Sequence, residues 1–405
     1  MNNRPLEGVR IADFGWILAG PYATAWLGSM GAEVIRIESQ SRLDFHRQNL
    51  GAGADGVPGI NRGAVFNSLN FSRKSLRLNL STPKGLELAK ELVRQSDIVM
   101  ENYAAGVMEK IGLGYDVLKQ INPRVVMIAT SPLGQIGPDH AATGWGPNVQ
   151  AYAGLPHLTG YQGGPPSGLG GLYPDFMIGT VMAFTALSAL HARNRTGEGQ
   201  YVDLSMAQIV STMIPEGIME FAMNGREPAR PGNRSPKHVP RGVYRCLGED
   251  KWVSIEVDSS EAWQGLAGAL GKPEWVSDSR FVNADGRQTH HDEIDETITA
   301  WTRERSHYDV MHILQAAGVN AAPCLDPHEL LQDEGMADRD LYVEMDHPEV
   351  GPRKVAGLPG RYSAIEALDY GPAPLFGQHS KEICSELLGL SAEEYERLVA
   401  EEVIW

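Results

Sequence analysis

Cysteine is scarce. Cys246, Cys324 and Cys384 are the only three, far apart and without a C-x-x-C pair. An odd number at such spacings argues against a disulfide framework and against a structural zinc site. Long apolar runs are missing as well, since no uninterrupted stretch reaches the roughly 18 residues of a membrane-span candidate. The opening residues MNNRPLEGVRIADF lack the basic-then-apolar order of a secretory signal. The cytoplasm is therefore the expected compartment. Positive charge is in deficit: 35 Lys and Arg against 51 Asp and Glu leave a net charge of −16. Nucleic acid and anionic membranes are poor partners for such a chain. A few basic groups in a cleft can still hold an anionic small substrate.

Several catalytic fingerprints are absent too. There is no G-x-S-x-G elbow and no G-x-x-x-x-G-K-[ST] loop, which removes the serine hydrolase and P-loop readings. The adjacent pair His290 and His291 lies in QTHHDEIDET. That stretch reads as a solvated helix start with no further ligands at metal spacing.

What is present is an alternation of strand-like and helix-like stretches. Hydrophobic residues make up 42% and charged residues 21% of the 405, an ordinary globular balance and enough chain for two domains. Val9–Phe14, Ala32–Glu38, Asp97–Glu101 and Arg124–Thr130 read as buried strands. Pro21–Met30 and Pro83–Gln95 read as helices, the second after a Ser81-Thr82 cap position. This βαβ order implies a parallel sheet with helices on its faces. A Gly/Pro-rich stretch from Gly154 to Pro174 follows, then an apolar helix Phe176–His191, a strand Tyr201–Leu204 and a helix to about Met223. The character changes near Asn224, where NGREPARPGNRSPKHVPRG reads as a linker. Strands at Val243–Cys246 and Lys251–Val257 and three helices then suggest a smaller α+β domain. After about Glu329 come turn-rich segments and a final acidic helix, Ser391–Glu402.

Two acids stand out. Glu38 ends the second strand, where an acid suits a ribose hydroxyl in a dinucleotide site. The glycine fingerprint G-x-G-x-x-G is missing, however: Pro21 follows Gly20, and Tyr22 stands where a close-approach glycine belongs. A Rossmann oxidoreductase is thus poorly supported. Asp175, in GLYPDFMIGT, stands just before the apolar helix. The plain reading is a helix N-cap. A helix N-terminus beside flexible glycines also makes a poised anion.

The order and spacing of several segments resemble the class III CoA-transferases, the CaiB/BaiF family, over nearly the whole chain. They run from LEGVRIADFGWILAGPYATAWLGSMGAEVIRIE through SLNFSRKSLRLNLSTPKG and SDIVMENYAAGVMEKIGLGYDVLKQINPRVV to GLYPDF, ARNRTGEGQYVDLSM, GVNAAPCLDPHELLQDE and VEMDHPEVGP. The resemblance implies a Rossmann-like large α/β domain built from both ends of the chain, 1–224 and 329–405, with a small α+β domain over 225–328. It implies two subunits interlocked as rings, either a homodimer or an assembly with a homologous subunit. Asp175 matches the family nucleophile. The CoA contacts carry over to Leu18 and Ala19, Leu78 and Asn79, Asn102 and Tyr103, and the stretch Gly144, Trp145 and Gly146, with Lys110 at the CoA phosphates. An arginine of some members is Ser39 here, for which Arg36 or Arg42 stand nearby. The overall look resembles members that use succinyl-CoA and act on substituted succinates such as benzylsuccinate.

The expected reaction moves CoA between carboxylic acids through aspartyl anhydride and aspartyl-CoA thioester intermediates. Coenzyme A and acyl-CoA enter as substrates, and no metal or resident cofactor is needed. The rivals are a 2-methylacyl-CoA racemase of the same family, a Rossmann oxidoreductase and a noncatalytic partner subunit. The racemase needs a histidine base in the segment that reads ATGWGPN, where Trp145 stands; indole accepts no proton at neutral pH.

Overall fold

The computed structural model describes residues 4–48, 56–365 and 367–405. The chain divides into two compact units. Unit 1 comprises Met1–Pro156, Gly168–Arg226 and Asp338–Trp405, and unit 2 comprises His157–Ser167 and Glu227–Ala337.

Unit 1 is built on six strands: β1 Arg10–Asp13, β2 Glu33–Glu38, β3 Lys74–Arg77, β4 Ile98–Glu101, β5 Val126–Ser131 and β6 Gln200–Ser205. They lie in the order β3-β2-β1-β4-β5-β6, and every neighbouring pair is parallel. Strands such as IVME and VMIATS are buried at every position. That is the pattern of a sheet covered on both faces. Helix Pro83–Arg94 carries the chain from edge strand β3 across to β4. Its Thr82 cap accepts from the Gly85 N–H, and it buries Leu88, Ala89, Leu92 and Val93 along one stripe. Ile383, Cys384, Leu398, Val403 and Ile404 join the same core as Ile35, Leu76 and Leu88.

This strand order reverses direction between β1 and β4. Such a switch point opens a crevice at the carboxyl ends of the strands, where doubly wound sheets bind ligands.

Helix Tyr173–Thr196 joins β5 to β6 and starts three residues before the expected Phe176. It is the one helix among the described residues long and apolar enough by composition to cross a membrane. No long apolar run marks it in the sequence, because polar residues interrupt it. It packs Ile178, Met182 and Ala186 inward at four-residue spacing. A Cβ at its Gly179 would come within 2.7 Å of the Ala19 carbonyl oxygen, so glycine permits its close approach to helix Ala19–Ser29. The segment read as one helix to Met223 is two, Met206–Ser211 and Pro215–Asn224, because Pro215 cannot continue the first.

Unit 2 has a three-stranded antiparallel sheet of β7 Arg241–Arg245, β8 Trp252–Glu256 and β9 Asn320–Cys324. Val253, Trp263, Phe281 and Ile298 form part of its separate core. His291 is 1% exposed, so the helix start read as solvated is buried at that position.

Candidate active site

A cavity of about 950 Å³ lies at the switch point of unit 1. Its walls come from the segments following β1, β2 and β4, the Thr82 helix start, the Thr143–Pro147 segment and the start of helix Tyr173–Thr196. Of the residues expected at the site, it gathers Leu18, Leu78, Asn102, Tyr103, Lys110, Gly144, Trp145, Gly146 and Asp175. Two others lie elsewhere. Ala19 is buried against Gly179. Asn79 ties the chain to its C-terminal segment, donating through Nδ2 to the Glu402 carbonyl and through its backbone N–H to that of Val403.

Asp175 is not an N-cap. Leu172 holds that place without a side-chain bond, Pro174 occupies the first turn, and Asp175 is the third residue of the helix. Its carboxylate has no ion-pair partner among the described residues. Burial raises its pKa from 3.8, against the lowering effect of its own backbone N–H, to about 6. Gly146 makes room for it: a Cβ there would lie 2.5 Å from Asp175 Oδ2 and 2.4 Å from the Gly171 oxygen. Trp145, beside it, is half exposed and meets Phe45 edge to face at 5.4 Å.

The other acids of the wall are taken. Glu38 receives two hydrogen bonds from Arg47, at 2.7 and 2.9 Å, and one from Ser75 Oγ at 2.5 Å. Burial opposes its charge, and the Arg47 and Arg36 guanidiniums overcome that and hold its pKa down. Both of its oxygens are engaged by these bonds. Asp44 takes Arg36 Nη2 at 2.6 Å. Arg36 also lines the cavity but is 1% exposed and engaged by Asp44 and Asn70. Arg42 remains available. It lines the cavity with its guanidinium 4.5 Å from the Trp16 ring. Lys110, at the end of the short helix Val107–Lys110, also lines it and is exposed. Neither cation has a carboxylate partner among the described residues.

The segment after β1 forms the floor. Gly15 N–H donates to Asp13 Oδ1 at 2.7 Å. Asn102 grips Trp16 by both backbone groups, at 2.6 and 2.8 Å. Ile17 N–H donates to Asp44 Oδ2 at 2.9 Å. Sequence reasoning missed Trp16, Ile17, Asp44, Thr143, Gly171 and Met206 as wall residues. The position of Trp16 directly after β1, at the switch point, was the available signal. No histidine lines the cavity among the described residues, and His140 instead bonds the Gly137 carbonyl. A second, more open hollow of about 510 Å³ lies on the sheet of unit 2. Its acid, Glu256, is already bonded to His238 Nδ1 at 2.5 Å.

A doubly wound parallel sheet with a mixed apolar and cationic cavity at its switch point, and a carboxylate there without an ion-pair partner among the described residues, is the arrangement of a ligand-binding α/β protein. Residues 6–380 match CoA-transferase family III, and the chain belongs to that family. It is 33% identical to the "Probable CoA-transferase" of Mycobacterium tuberculosis over 99% of its own length, and spans about half (50%) of that relative. It is 33% identical to the succinyl-CoA–D-citramalate CoA-transferase of Chloroflexus aurantiacus, over 99% of this chain and 98% of that one. The structure of a CaiB/BaiF family protein from Brucella suis, 27% identical, superimposes with a TM-score of 0.86 over 95% of this chain and 100% of the other.

Proposed function

We propose that this enzyme transfers CoA from succinyl-CoA to a substituted succinate, with Asp175 as the covalent nucleophile. The observation that carries the reading is the Asp175 carboxylate: unpaired, desolvated and facing the cavity at the sheet's switch point. Relatives named for succinyl-CoA and for D-citramalate or L-malate support the choice of acids, since both are substituted succinates. Benzylsuccinate belongs to the same chemical class.

In the proposed sequence, a carboxylate oxygen of Asp175 attacks the thioester carbon of the donor. The C–S bond breaks, leaving a mixed anhydride and CoA thiolate. The thiolate attacks the aspartyl carbonyl and releases the donor acid, giving aspartyl-CoA thioester. The acceptor carboxylate then attacks that thioester, again expelling CoA thiolate. The thiolate attacks the acceptor's acyl carbon, which frees Asp175 and yields the new CoA ester. No net proton is transferred. Gly146 begins a helix, so its N–H has no intrahelical acceptor. Aimed at a developing oxyanion, one such donor is worth about 3 kcal/mol. Lys110 and Arg42 are suited to the phosphates and to the free carboxylate of a diacid. A racemase reading lacks its second base, because Trp145 stands in its place.

The test is trapping. Wild type is incubated with succinyl-CoA, quenched with hydroxylamine or borohydride, and its peptides are mapped. An adduct on the GLYPDF peptide is expected. No adduct, together with full activity of Asp175→Asn, would refute the mechanism.

A further inference from the structure

Ile17 has φ +63°, and it is the one β-branched residue in the left-handed region among the described residues. Chirality disfavours that region for any residue with a Cβ, and most of all for branched ones. A strained residue persists only where its surroundings over-determine it. Here the holding group is identifiable. Asp44 is 4% exposed and accepts the Ile17 N–H at 2.9 Å. Its same Oδ2 takes the buried Arg36 guanidinium at 2.6 Å, and its Oδ1 takes the His46 N–H at 2.7 Å. Arg36 is itself fixed by Asn70 Oδ1. On either side of Ile17, Trp16 and Leu18 line the cavity.

We infer that Asp44, aimed by Arg36, is a positioning residue that holds Ile17 in its left-handed conformation and so presets the Trp16–Leu18 wall for coenzyme A. The inference rests on the reading of this cavity as the CoA site. Without the acceptor, Ile17 falls back to negative φ and the peptide planes on both sides of it rotate. The binding-competent wall then becomes a minor state. Apparent affinity drops by the fraction that remains competent, about five- to thirty-fold for the cost of a left-handed residue with a Cβ. Glycine takes positive φ about as readily as negative, so at position 17 it removes most of that dependence.

The experiment is a mutant cycle on the full-length protein. Wild type, Asp44→Ala, Ile17→Gly and the double variant are titrated with free coenzyme A by calorimetry. Amide exchange of the peptide covering residues 15–18 is followed by mass spectrometry. Asp44→Ala is expected to weaken CoA binding about five- to thirty-fold and to speed that peptide's exchange. The double variant is expected to bind within about threefold of Ile17→Gly, while its exchange stays fast because the acceptor is still missing. Asp44 variants that weaken CoA equally with isoleucine or glycine at position 17 would overturn the inference, as would unchanged exchange in Asp44→Ala. Removing Asp44 leaves Arg36 buried and unpaired, which can prevent folding. The double variant Asp44→Ala/Arg36→Met, compared with wild type with isoleucine and with glycine at position 17, removes both charges together and decides the question on the same criteria. Failure of wild type to bind coenzyme A would sink the reading of the cavity alone. The exchange data would still report on the clamp.

Discussion

Burial of Asp175 has a thermodynamic consequence that can be measured without any substrate. Its pKa is 3.8 unperturbed and about 6 in the folded protein. The folded state thus favours the protonated acid and is penalised when the group ionises. Below pH 3.8 the acid is neutral in both states and the penalty is absent. Above pH 6 it is ionised in both, and the full cost of about 3 kcal/mol applies. Asp175→Asn keeps the shape and removes the ionisation. At pH 8 the variant should therefore be more stable than wild type by about 3 kcal/mol, and at pH 4.5 by only about 1 kcal/mol. For a chain of 405 residues that corresponds to roughly 3 to 4 °C in Tm at the higher pH. The assay is paired thermal and urea unfolding of the two proteins at both pH values, without CoA. Helix position argues the other way, because a carboxylate in a first turn is ordinarily stabilising by a few tenths to 1 kcal/mol. The sign of the result therefore decides between the two effects. An Asn variant less stable at pH 8, or a gain equal at both pH values, would refute the argument from desolvation.

Two further outcomes follow from the cavity wall. Gly146→Ala places a Cβ 2.5 Å from Asp175 Oδ2 and 2.4 Å from a backbone oxygen; it should lower kcat at least tenfold, and steady-state kinetics with kcat within twofold of wild type would contradict it. Lys110→Ala removes an exposed cation from the wall, so CoA affinity should fall, more at about 20 mM salt, where the Debye length is about 20 Å, than at about 300 mM, where it is about 6 Å. A titration giving the same affinity as wild type at both salts would remove Lys110 from the site.

The parallel sheet was legible because its strands are short, branched and buried on both faces. Its helices were legible from one-sided apolar stripes such as that of Pro83–Arg94. The same burial misled at Arg36. A charged residue in β2 was read as available, but in a strand covered on both faces it closes on Asp44 and Asn70. The glycine-rich stretch drew notice to Asp175, its expected role as nucleophile came from the family resemblance, and its helical position was displaced. Pro174 fits the first turn of a helix, so the helix begins before the acid instead of after it. The Asp44–Ile17 bond could not be read at all. It joins residues 27 apart in sequence, and only the fold brings them within reach. Asn79 and Ala19 belong to segments that border the site, but the Asn79 side chain bonds the C-terminal tail and the Ala19 carbonyl sits at a helix crossing. Neighbourhood in sequence does not say which way a residue faces.

The charges in this wall are distributed unevenly, and the unevenness bears on the proposed chemistry. Glu38 and Asp44 of the wall, and Asp13 at the end of β1, are each buried, and each is paired with a buried arginine. Such pairs are costly to break and poor nucleophiles, since the guanidinium occupies the oxygens that would attack. Two acids without a cation among the described residues are raised by burial, the buried Glu101 and the partly buried Asp175. Burial raises Glu101 to about 8 against the bond from the Tyr103 N–H. It is therefore neutral at pH 7, and it does not line the cavity. Asp175, at about 6, is mostly ionised at pH 7, yet it gains from losing its charge. Acylation removes that charge, so the desolvation that destabilises the free carboxylate favours forming the anhydride and thioester. An arginine beside Asp175 would stabilise the resting carboxylate and reverse that preference. On the proposed mechanism, the absence of a cation at this one wall acid is the feature that separates a nucleophile from the structural carboxylates around it.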